Sequence, residues 1–149
     1  MARKSSDRLR TLLKLAAMRE DAAAKRLAQS NEQLLSAQQQ SQQLQQYEQD
    51  YQQRYVESGT ATVGKNFLLN YQGFFRQLEK AQMQQHRMIE LRKDDREKAR
   101  LGWLEQYMKR RVLTRLREQR LASEAVVVEK KMQRDFDDRA ARRHLNDND

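Results

Sequence analysis

The sequence predicts an all-α fold: an antiparallel two-helix coiled coil, folded as a long helical hairpin whose second helix overhangs the first. Three observations predict it. The chain of 149 residues contains no proline and only 4 glycines. Apolar residues recur at alternating steps of three and four, the a/d seam of a heptad. The pattern breaks once, across Glu57-Ser58-Gly59-Thr60-Ala61-Thr62-Val63-Gly64.

The first helix is expected over residues 2–57, because Leu9, Leu13, Ala16, Ala23, Leu27, Leu34, Ala37, Leu44, Tyr51 and Tyr55 keep that spacing. Glu20, Ser30, Ser41 and Glu48 interrupt the seam, and polar seam positions of this kind fix register. Glutamine dominates residues 29–53, where it reads as the solvated face of the same helix. The turn is expected at 58–64. The second helix, expected over 65–143 with a frayed tail at 144–149, opens on Phe67, Tyr71, Phe74, Leu78, Ala81 and Met88. It blurs through Arg92 and Asp95 and resumes in a shifted phase, as after a stutter, with Leu101, Leu104, Met108 and Val112. Gly73 and Gly102 lie inside it and are read as points of close helix approach, or alternatively as hinges.

At 1.5 Å per residue the helices would run to roughly 85 Å and 115 Å. Folding about the break sets Tyr51 near Tyr71, Leu44 near Leu78, Leu34 near Met88 and Leu9 near Leu113, and leaves residues beyond Arg120 without a partner. Residues 1–149 are thus expected to form one hairpin domain that buries a seam and no deep core, with modest stability.

Lys and Arg number 30 against 21 Asp and Glu, a net charge of +9 that suits nucleic acid, anionic lipid or an acidic protein surface. The absence of cysteine excludes disulfides and thiolate zinc sites. No run of about 20 apolar residues offers a membrane span. The basic start is followed by the short, charged segment Leu12-Leu13-Lys14-Leu15, unlike a secretory leader, so a soluble intracellular protein is expected.

Two regions carry distinct chemistry. The expected pairing brings Arg3, Lys4, Arg8, Arg10 and Lys14 beside Lys109, Arg110, Arg111, Arg115, Arg117 and Arg120, a like-charged convergence suited to an acidic partner. Near the break stand Tyr47, Tyr51, Tyr55, Phe67, Tyr71, Phe74 and Phe75; Tyr47 and Phe75 fall off the seam and Met83 on the outer face, a candidate anchor patch.

Catalytic chemistry has no foothold. Gly59-Thr60-Ala61-Thr62-Val63-Gly64-Lys65-Asn66 approaches a phosphate loop, but Asn66 replaces the magnesium-binding hydroxyl and no strand precedes it. His86 and His144 lack partners at ligand spacing, and the pairs Asp94-Asp95 and Asp137-Asp138 point apart on a helix. No catalytic residue, metal site or cofactor is assigned. A nucleic-acid-binding hairpin is the alternative of a different class; its basic helices would supply phosphate contacts without specificity.

The segment Asn70-Tyr71-Gln72-Gly73-Phe74-Phe75-Arg76-Gln77-Leu78-Glu79-Lys80-Ala81, preceded by Leu44-Gln45-Gln46-Tyr47-Glu48-Gln49-Asp50-Tyr51, resembles the FliJ family of bacterial flagellar export proteins. Trp103 with Glu105, and Glu129-Lys130-Lys131-Met132-Gln133-Arg134-Asp135-Phe136-Asp137-Asp138-Arg139-Ala140-Ala141-Arg142, extend the likeness over nearly the whole chain. Gly73 stands where the family more usually has glutamine, and His86 lies one place after Gln85, where a histidine is expected. The resemblance implies a non-enzymatic, cytoplasmic component of flagellar type III export, peripheral to the inner membrane at the flagellar base and monomeric in isolation. It further implies docking, like the central stalk of a rotary ATPase, in the hexameric export ATPase ring, whose assembly and activity it promotes. The export gate membrane protein's cytoplasmic part and export chaperones are the other implied partners; specific nucleic acid is not. The family's gate-binding surface carries over to Gln40, Leu44, Tyr47, Tyr51, Phe74, Leu78, Ala81 and Gln85. Charge and the stalk analogy place ATPase binding on Arg8, Lys14, Lys109, Arg110, Arg111, Arg115 and Arg117. The equivalent stalk of a virulence secretion system is the nearest alternative.

Overall fold

The structure, a computed structural model, describes residues 4–58 and 65–148. Two helices account for them, α1 (Ser5–Ser58) and α2 (Lys65–Asp147), packed against each other as an antiparallel hairpin with no strand among the described residues. Ala2, Arg3 and the expected turn with its phosphate-loop-like Gly59 to Gly64 lie outside the described residues.

α1 begins where the Lys4 carbonyl accepts the amides of Asp7 (3.0 Å) and Arg8 (3.3 Å). The Asp7 carboxylate stands in the first turn, complementing the positive end of the helix dipole. α2 runs through Asp147 and does not end at the expected Arg143, because neither glycine nor proline stops it and His144 lies in its last turn.

The chain divides into two compact units, one of Met1–Asp21 with Glu105–Asp149 and one of Ala22–Leu104, each drawing on both helices. In the Ala22–Leu104 unit the seam is carried by Ala23, Leu34, Ala37, Tyr71, Leu78 and Ile89. Leu34, Ala37 and Ile89 form its core cluster, so the expected partner of Leu34, Met88, is displaced by its neighbour and left 41 % exposed. Polar bridges set the register here: Gln85 donates to the Ala37 carbonyl at 2.8 Å, Arg92 to Gln33 at 3.1 Å, and Gln82 to the carboxylate of Glu48.

In the other unit Leu9 and Ala16 are buried, and Ser6 more deeply than either. Both donors of Ser6 go to one carboxylate, the hydroxyl to Glu124 Oε2 at 2.7 Å and the amide to Oε1 at 3.2 Å. An amide that the first turn of α1 cannot satisfy internally is thereby capped by α2. This contact corrects the expected register. With Leu9 opposite Leu113, Ser6 would face position 116 and Glu20 position 102; they meet Glu124 and Arg110, each eight positions later. Two polar contacts, and not the apolar match of Leu9 with Leu113, set the pairing.

The resumed seam of α2 is likewise corrected, since Leu101, Leu104, Met108 and Val112 are all exposed. The inward turns are made by Trp103, Gln106, Tyr107, Arg110, Leu113 and Arg117. The glycines do not mark close approach either: a Cβ built on Gly73 or Gly102 meets nothing within 4 Å. From residue 125 to 148 every side chain is exposed, so the overhang begins a turn later than Arg120.

Candidate functional site

Aromatic residues of the Ala22–Leu104 unit form one connected cluster. Tyr51 is its hub, with ring centroids 4.5 Å from Tyr71, 4.1 Å from Phe74 and 5.8 Å from Phe75. Tyr55 and Phe75 close on Tyr71 at 4.1 and 4.8 Å. Tyr71 is buried and its hydroxyl donates to the Tyr51 carbonyl; burial, with a smaller push from Tyr51, raises its pKa above the ordinary phenolic value. The side chain of Phe67 lies outside those described.

Tyr47 lies at the edge of this cluster, 54 % exposed, with its ring 5.9 Å from Phe74 and 6.5 Å from Tyr51. A shallow groove beside it is lined by Gln40, Gln43, Leu44, Tyr47 and Gln85. Four of the eight residues assigned to gate binding therefore share one depression, to which the sequence reading had not added Gln43. The Gln85 amide, which also reaches Gln40 Oε1 at 3.3 Å, ties the two sides of the groove together. Tyr51, Phe74 and Ala81 are half-buried, and Leu78 is turned into the seam at 7 % exposure. Leu78 can act on this surface only by holding it up.

The residues assigned to ATPase binding all fall in the unit of Met1–Asp21 with Glu105–Asp149, but their environments differ. Arg110 forms an ion pair with Glu20, a seam residue that sequence reading counted only as an interruption. Lys109 bridges Glu105 at 3.1 Å along the same helix. Arg111 lies over the Tyr107 ring at 5.7 Å and donates to its hydroxyl at 3.3 Å, which steadies the guanidinium while leaving it in solvent. Arg8, Lys14 and Arg115 are exposed, and Arg117 is half-buried.

The contacts of Ser6 with Glu124 and Glu20 with Arg110 shift the α1 cations Arg8 and Lys14 toward Arg115, Arg117 and Arg120 relative to the expected pairing. A shallow depression of α2 is lined by Met108, Arg110, Arg111, Val112, Thr114, Arg115 and Glu118. Apolar and cationic side chains alternate along it. The periodicity of Met108 and Val112 was legible in the sequence, but was read as an inward seam.

Among the described residues no three His, Cys, Asp or Glu side chains are placed to hold a metal ion, and no helix is long and apolar enough to cross a membrane. The class defined by these features is a helical hairpin, with an aromatic groove in one unit and a mixed apolar and basic face in the other. Compared with protein-family models, residues 5–149 match FliJ, described as flagellar FliJ protein. The chain belongs to the FliJ family, which implies a component of the flagellar type III export apparatus. No curated protein and no solved structure matches the chain.

Proposed function

We propose that this chain is a non-enzymatic coupling component of flagellar export. It binds the hexameric export ATPase in the manner of a central stalk, promotes its assembly and activity, and links it to the cytoplasmic part of the export gate and to export chaperones. The observation that carries this reading is the family match over residues 5–149. Support comes from the placement of the two candidate surfaces in different units.

Within this reading Lys109, Arg111 and Arg115, interleaved with exposed Met108 and Val112, meet an acidic, partly apolar surface of the ATPase. Arg8 and Lys14 contribute from α1, and half-buried Arg117 from α2. Arg110 holds Glu20 and serves the contact indirectly. Tyr47, Gln40, Leu44 and Gln85 offer the groove to the gate, with Tyr51, Phe74, Leu78 and Ala81 supporting it. The protein acts by favouring particular arrangements of the ring through differential binding.

The test is ATP hydrolysis by the cognate export ATPase as the chain is titrated in. Native protein is expected to stimulate it, and a triple variant with Lys109, Arg111 and Arg115 changed to Gln to require at least about tenfold more protein. The triple variant spares the Arg110–Glu20 pair, so its helicity should equal that of the native chain. Equal stimulation by both proteins would remove the basic face from the proposal; no stimulation by either would remove the ATPase.

A further inference from the structure

Past Glu124, α2 continues over residues 125–147 with no segment of α1 against it. This stretch is helical, yet its polarity is uneven. Ala125, Val128, Met132 and Phe136 are spaced by three, four and four residues, which puts them within about 80° of arc at 100° per residue. Val128, Met132 and Phe136 are 49, 67 and 73 % exposed. The stripe continues the side of α2 that faces α1, displaced by one residue from the heptad through Arg110, Leu113, Arg117 and Glu124. It is the open half of a coiled coil that lacks its second helix.

The charges beside the stripe say which helix fits. One flank carries Glu124, Lys131, Asp135 and Arg142; the other carries Glu129, Gln133 and Ala140. In an antiparallel pair of identical helices like flanks face each other, whereas in a parallel pair unlike flanks do. Set antiparallel about Gln133, Lys131 meets Asp135 of the second copy and Glu124 meets Arg142 of the second copy. The two-fold axis repeats each pair, giving four opposite-charge contacts along that flank, against Glu129 level with Asp137 of the second copy on the other; past Phe136 the stripe passes to Arg139 and Arg143. The parallel arrangement gives the charged flank only Glu129, glutamine and alanine to face.

We propose that residues 125–148 are a self-association surface, which pairs two copies of this chain antiparallel through Val128, Met132 and Phe136. The inference is independent of the export reading and replaces the expected monomer at high concentration. With so few large side chains per copy the dimer is weak, at the small end of specific interfaces.

Sedimentation velocity of the full chain from about 1 µM to about 1 mM, at low and moderate salt, tests it. The native chain is expected to shift from monomer to dimer across that range. Met132→Glu should leave helicity unchanged and abolish the shift. Lys131→Glu and Asp135→Lys each create two like-charge contacts and should weaken the dimer by about tenfold, while the double swap restores it. A native chain that stays monomeric throughout overturns the proposal and leaves the stripe to a different protein. Association indifferent to Met132→Glu, or not rescued by the double swap, overturns it equally.

Discussion

Ser6 and Glu124 illustrate how much of this fold rests on single polar contacts. The Ser6 hydroxyl and amide hold the Glu124 carboxyl below the ordinary carboxylate range, an effect led by the hydroxyl hydrogen bond. A carboxyl depressed on folding contributes stability that is fully present above its unfolded value and is lost as pH falls through its folded value. Thermal unfolding of the native chain should therefore lie above that of Glu124→Gln near neutrality and converge with it as pH falls through the folded carboxyl's depressed titration. Ser6→Ala removes the hydroxyl's hydrogen bond to Glu124 while keeping the amide's, and should cost about 1 kcal/mol. A native-to-variant difference that stayed constant between pH 3 and 7 would show that the contact adds no pH-dependent stability. Arg110 and Glu20 make a similar point from the other side. A residue assigned to a partner on charge and the stalk analogy turns out to be engaged within its own unit, because sequence shows the sign of a charge but not what lies opposite it.

Between the two helices, legibility was unequal for a physical reason. The predicted three-four alternation from Leu9 to Tyr55 is inward throughout, including the interruptions Glu20, Ser30, Ser41 and Glu48, with Ala17 and Ala24 half-buried beside it. α1 is apolar along one side, so periodicity identifies that side. α2 has a partly polar inward side, with Arg92, Gln106, Arg110 and Arg117, and an apolar outer stripe in Leu101, Met108 and Val112. Periodicity detects an apolar stripe but not whether the chain itself covers it. The aromatic groove was legible as a cluster around Tyr47 and Tyr51, but Gln43 carried no signal. Gly73 and Gly102 are helical with open space around them, so the glycines cost helix propensity and gain no contact within the chain. Gly73→Ala and Gly102→Ala should each raise unfolding stability by about 0.5–1 kcal/mol in chemical denaturation. A loss of stability at either position would point to backbone freedom that the helix needs there.

For the molecule as a whole, the proposed division of labour has a separable consequence. Tyr47 is exposed and packs only at the cluster's edge, so Tyr47→Ala should weaken capture of the isolated gate domain by about tenfold while leaving ATPase stimulation intact. Calorimetry with the gate domain, run beside the hydrolysis assay, reads both; parallel loss of the two would mean that the substitution acts through the fold. The Ser6–Glu124 bond joins residues 118 apart in sequence, whereas Tyr71 and Tyr51 are separated by 20. A chain leaving the ribosome can close its aromatic contacts soon after Tyr71 emerges, but the start of α1 stays uncapped until Glu124 follows. The short-range aromatic contacts can therefore form before the long-range contact that caps the start of α1. Until Glu124 has been made, the stretch of α1 around Ser6, with Arg8 and Arg10, lacks the contact that fastens it to α2.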